Sequence, residues 1–183
     1  MRRRVILFAA LVGILGATPL RAQTPALTAD LVKLAGDVEQ KLVGLGEALS
    51  VEQHNWRPGE GVRSAHEVLL HVAADNYFLP AALGVAAPAA TKINATDYAA
   101  VQAFEQQKLD KTATIAELKK SFAHFNSALS SIPESRMNET INVFGQDFTV
   151  RSFMVLATAH LHEHLGQMIA YARTNGVKPP WSR

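Results

Sequence analysis

The sequence predicts an all-α fold, a four-helix bundle with long connecting loops. Three observations predict it. Four long stretches carry apolar residues at three- and four-residue spacing, which gathers them on one helix face. No stretch sustains the alternation of a strand. Cap and stop signals punctuate the long stretches. Helices of this kind bury their stripes against one another, and four joined by loops form a bundle.

The first long helix is expected over 29–49, with Thr28 as its cap and Leu31, Leu34, Val38, Leu42, Leu45 and Leu49 as its stripe. SVEQHNWRPGEGVR follows, and Pro58, Gly59 and Gly61 make it a loop. Ser64 with Glu67 three residues on is a capping box. It opens a second long helix over 65–82. Residues 84–94 are a small-residue linker, and Asp97 caps a shorter helix carrying Tyr98, Val101 and Phe104. Thr114 is the expected cap of the third long helix, with Ile115, Leu118, Phe122, Phe125, Leu129 and Ile132 inward and Pro133 as the stop. An irregular connection holds a short hairpin around Gly145. The fourth long helix covers 150–174 and ends at Asn175-Gly176.

The N-terminus differs from the rest. Residues 1–22 open with three arginines, Arg2 to Arg4, followed by an apolar run from Val5 to Ala17 and then small and polar residues with Arg21. That is the pattern of a secretory signal cleaved near Ala22, and the run is short of the about 20 apolar residues that span a bilayer. The expected domains are therefore a signal peptide at 1–22 and a bundle at 23–183, with a periplasmic or secreted location and no stable membrane anchor after cleavage. Cleavage removes Arg2, Arg3, Arg4 and Arg21. The 18 basic residues fall to 14 against 16 acidic ones, which turns the charge of +2 into −2. No basic run survives, which disfavours nucleic acid. With no cysteine, disulfides and thiol ligands are excluded, and any metal site uses nitrogen and oxygen.

HLHEH, residues 160–164, holds three of the seven histidines. At 100° per residue, His160 and His164 fall on the face of Phe153, Ala157, Leu161, Met168 and Tyr171. His162 and Glu163 point away. Two inward imidazoles at i and i+4 have Cβ atoms about 5–6 Å apart and can share an ion. The pair alone leaves two readings open, metal ligands or hydrogen-bonded core histidines. His71, at the edge of the second helix's stripe with Asp75, is the one other histidine placed to join them. His66 lies on the far side and is expected to be solvated, His124 is off its stripe, and His54 is in a loop. The string also matches H-x-x-E-H of the inverzincin proteases. That reading fails because only 19 residues remain for a third ligand and the glutamate faces away.

NWRPGEGVRSAHEVLLH resembles the start of the second helix in the DinB/YfiT-like family of bacterial metalloproteins. HLHEHLGQMIAYARTNGV resembles that family's last core helix, with its H-x-x-x-H-x-G-Q pattern, and PPWS is similar to the tail of exported members. The resemblance implies a four-helix bundle holding a divalent metal, zinc or nickel, on His71, His160 and His164. Gln167, at the family's GQ position, is implied to support the inward histidines. Such a site leaves the metal an open position, as catalytic zinc has. The expected activity is hydrolase or transferase chemistry on a small molecule, with Asp75 the best acidic candidate for general base and Tyr171 either lining the pocket or in the core. The alternatives are a non-catalytic bundle that binds metal or a small ligand, and a structural bundle. Thiol-dependent transfer, known for cytoplasmic members, is disfavoured by the export signal and by the lack of a strongly basic cluster beside the histidines. A homodimer through the bundle faces is compatible with the pattern.

Overall fold

The computed structural model describes residues 26–182, so the expected signal peptide lies outside the described residues. The chain runs α1 (Ala26–Ala48), α2 (Val51–Asn55), α3 (Ala65–Ala82), α4 (Tyr98–Glu105), α5 (Lys111–Ser131), a hairpin of β1 (Thr140–Val143) and β2 (Gln146–Thr149), and α6 (Val150–Thr174). The four long helices are the expected ones. Single 3₁₀ turns stand at Ala89–Thr91 and Glu134–Arg136.

Helix α3 is the centre of the bundle. It packs against every other helix, and its residues from Val68 to Pro80 are all buried. Its start is fixed as expected: Ser64 Oγ accepts from the Glu67 amide, and the Glu67 carboxylate accepts from the Ser64 amide. Around it, Leu42 and Leu45 of α1, Phe122 and Phe125 of α5, and Phe153 of α6 close the core with almost no exposure. No described helix is long and apolar enough to cross a membrane.

The structure departs from the sequence reading in four places. Helix α1 begins at Ala26, so Thr28 lies within it instead of capping it, with a buried hydroxyl that finds no partner among the described residues. The stripe of α1 turns through Ala35, which is fully buried, and leaves Leu34 44% exposed. The first loop contains α2, opened by a second capping box from Ser50 and Gln53, and His54 is therefore helical and buried. Asp110, not Thr114, caps α5 by accepting from Ala113 N. Thr114 is one turn inside, where its hydroxyl donates to the Asp110 carbonyl at 2.7 Å. The hairpin turns at Phe144-Gly145, both at positive φ, which suits a two-residue connection.

Candidate metal centre

Helices α3 and α6 carry the centre. His71 and Asp75 stand one turn apart on α3 and are both buried; His160 and His164 stand one turn apart on α6. The packing of the two helices brings a ligand-capable atom of each of the four within 4.8 Å of the others. Asp75 Oδ2 lies 2.8 Å from His160 Nε2 and 3.2 Å from His71 Nε2. His160 Nε2 and His164 Nε2 are 3.1 Å apart. The three sequence-predicted histidines thus meet, and Asp75 is among them instead of at the edge.

The outward ring nitrogens are tied back. His71 Nδ1 is 2.7 Å from Glu105 Oε1, on α4. His164 Nδ1 is 3.0 Å from Gln167 Oε1, and the partners beyond it fix which atom carries the hydrogen. Tyr171 donates its hydroxyl proton to the Arg63 carbonyl at 3.0 Å, so it accepts from Gln167 Nε2 at 2.8 Å. The Gln167 oxygen therefore faces His164, and His164 Nδ1 donates to it. His160 Nδ1 is 3.3 Å from Glu163 Oε2. Glu163 is outward and exposed, as expected, but its carboxylate reaches back to the ring. With each Nδ1 beside an acceptor, the three Nε2 atoms face the same space, where a cation could take their lone pairs or a shared proton could bridge neighbours, as an Nε2–H of His160 does to Asp75. Three such nitrogens and a carboxylate facing one another require a cation or shared protons between them.

The electrostatics agree. The hydrogen bond to Asp75 pushes the His160 imidazole up, with burial opposing. Burial pushes His164 down, and any positive charge on His160 or His71 adds to that. Burial alone would raise the Glu105 carboxyl, but His71 and Arg63 hold it below its ordinary range. Arg63 Nη2 donates to Glu105 Oε2 at 3.1 Å. The cluster therefore touches three carboxylates, Asp75, Glu105 and the exposed Glu163, with one guanidinium behind Glu105, a balance that suits a dication. The donor set of imidazole nitrogen and carboxylate oxygen suits a divalent metal, and His160, with 28% of its side chain exposed, opens the cluster to solvent.

The remaining histidines do not join. His162 is exposed, with Nδ1 donating to the Thr158 carbonyl. His66 is half-buried, not solvated, because its Nδ1 reaches Thr114 Oγ1 at 3.1 Å. His124 packs by Tyr77, with ring centroids 5.4 Å apart. Tyr171 is buried with Trp56 edge-on to its ring, so it is both core and part of the support under His164. Sequence reasoning missed Glu105 and Arg63. Beside the centre, Arg57, Arg63 and Lys108 share a groove of about 800 Å³ with Glu67, Glu105 and Asp110, a mixed lining and not a strongly basic one, and the groove meets the centre at Glu105.

Residues 36–168 match the sequence profile of the DinB superfamily. Among solved structures, YfiT from Bacillus subtilis, described as a probable metal-dependent hydrolase with an unusual four-helix-bundle topology, is 15% identical over 90% of this chain and 97% of its own, with a TM-score of 0.64. A DinB-like protein from Bacillus cereus is 16% identical over 85% and 97%, with a TM-score of 0.63. Another from Bacillus subtilis is 20% identical over 81% and 93%, with a TM-score of 0.60. These likenesses show the fold. No curated protein matches the sequence.

Proposed function

The chain belongs to the DinB superfamily, and from that premise we propose that it is a metal-dependent hydrolase of a small molecule. His71, His160 and His164 would hold a divalent cation, zinc or nickel, and Asp75 would serve as proton acceptor. One observation carries the reading: the Nε2 atoms of His160 and His71 meet Asp75 Oδ2, that of His164 meets His160 Nε2, and every Nδ1 stands beside an acceptor. Histidines that only filled a core would not need to gather three Nε2 atoms around one carboxylate. The description of YfiT supports the reaction class.

A bound Zn²⁺ or Ni²⁺ would polarise a substrate carbonyl and acidify water enough for attack near neutral pH. The chain's own residues supply the rest. Glu105 and Gln167 lock the rings of His71 and His164, so the donors are in place before anything binds. Asp75 Oδ2 is within hydrogen-bond reach of the same space, where a carboxylate can take up a proton and return it to a leaving group.

The test is metal content by mass spectrometry on untagged protein, followed by turnover of activated esters by the loaded protein. We expect near-stoichiometric metal in the wild type and its loss in His71→Ala and His160→Ala. Asp75→Asn is expected to keep the metal and lose turnover by about 100-fold or more, the scale of a general base. A wild type that stays empty after incubation with zinc and nickel would sink the metal centre. An Asp75→Asn variant that turns over normally would remove Asp75 from catalysis.

A further inference from the structure

We propose that the groove beside the centre binds a carboxylate group of the substrate, through the Arg63 guanidinium and the Lys108 ammonium. The word substrate rests on the hydrolase reading; the binding itself does not. The groove lies between residues 57–67 on one side and the end of α4 with residues 106–110 on the other. Its volume of about 800 Å³ is in the range of small-molecule sites. Glu105 is its shared wall with the centre, with one oxygen on His71 and the other on Arg63.

The hydrogen-bonding capacity still unspent in the groove decides the ligand class. The acids are largely occupied. Glu67 accepts from Arg57 and from the Ser64 amide, Glu105 accepts from His71 and Arg63, and Asp110 caps α5. The bases are less so. Arg63 gives only Nη2, to Glu105, and its Nε and Nη1 have no partner among the described residues. Lys108 is exposed and makes no ion pair or hydrogen bond to any described residue. What remains on offer is cationic donors, one of them a planar fork, and their complement is an anionic, planar acceptor. A carboxylate fits that description. A phosphate dianion would bring twice the charge up against Glu67, Glu105 and Asp110.

The test is a titration of the protein as purified with glutarate, read by ¹H–¹⁵N correlation spectra, and repeated after zinc loading. The expected result is saturable shifts of amides in 57–67 and 102–110 in both preparations, with none from the neutral analogue glutaramide. Arg63→Gln and Lys108→Gln should each weaken binding about 5- to 10-fold, the range of an ordinary net hydrogen bond, because both side chains are exposed to water. Arg63→Lys should recover only part of the loss. Lys108 has no partner to lose, so its variant tests binding without disturbing the fold. Equal shifts from glutaramide, tighter binding of inorganic phosphate, shifts confined to 71–75 and 160–167, or no shifts at all would each overturn the proposal. Failure of the metal reading appears separately, as protein that retains no zinc.

Discussion

Glu105 accepts from His71 with one oxygen and from Arg63 with the other, at 2.7 and 3.1 Å. Its charge holds the His71 Nδ1–H outward and leaves the Nε2 lone pair toward Asp75 and the other histidines. Replacing it with glutamine keeps the shape and one acceptor but removes the charge from both contacts. Supports of this kind are worth about 10- to 100-fold in metal affinity. We expect Glu105→Gln to lose zinc affinity on that scale in a chelator competition, with unchanged helical circular dichroism. Unchanged affinity would make Glu105 a partner of Arg63 alone. Nothing in the sequence marks this residue. It stands 34 positions from His71, at the end of an eight-residue helix whose rotation against α3 is set by packing. Gln167 was readable from the resemblance, through the GQ position, and its place one turn from His164 on the same helix puts it within reach.

At the scale of elements, the start of α3 is the piece on which the centre depends most. Ser64 is buried, and its hydroxyl satisfies one amide of the first turn. Arg63, just before it, takes the Tyr171 hydroxyl on its carbonyl and Glu105 on its side chain. Ser64→Ala should cost about 1 kcal/mol of stability, the usual loss for a cap. In a chain of this size that lowers Tm by roughly 2–4 °C. Calorimetry should show that drop with metal content unchanged. A drop beyond about 10 °C would mean that the cap holds the whole 57–64 segment, well past the worth of one hydrogen bond. The long helices and the Ser64 box were legible because period and cap are local properties. The misplaced details all involve competition between local choices. Asp110 and Thr114 are both good caps, and the backbone used the earlier one. Leu34 and Ala35 are neighbours on α1, and the turn of the helix against α5 and α6 chose the smaller side chain for the interior. The segment 51–55 is too short for periodicity to reveal, and its capping box was overlooked beside Pro58 and Gly59.

At the scale of the whole molecule, the histidines oppose one another in pH dependence. His54 is 2% exposed, its Nε2–H donates to the Gly46 carbonyl at 2.8 Å, and its Nδ1 has no partner among the described residues. Burial pushes its pKa down, and burial does the same to His124. Both bind protons less readily in the fold than in the unfolded chain, which takes them up near pH 6.5. Above that pH neither state is protonated and they contribute nothing. Below it the unfolded state binds more protons, so stability falls as the pH falls. His160 is pushed up by Asp75, so its contribution is present below pH 6.5 and is lost as the pH rises through its folded value. The net slope therefore mixes two signs, and a variant must separate them. Glutamine at position 54 can keep a donor for Gly46 without titrating. With a chelator present throughout, so that no metal competes for protons, the stability of wild type relative to His54→Gln should fall between pH 7 and pH 5.5, by at most about 1.4 kcal/mol per pH unit for the one proton removed. Parallel curves for the two proteins would show that His54 is protonated in the fold as readily as in the unfolded chain. The acid sensitivity would then belong to His124 or to the carboxylates.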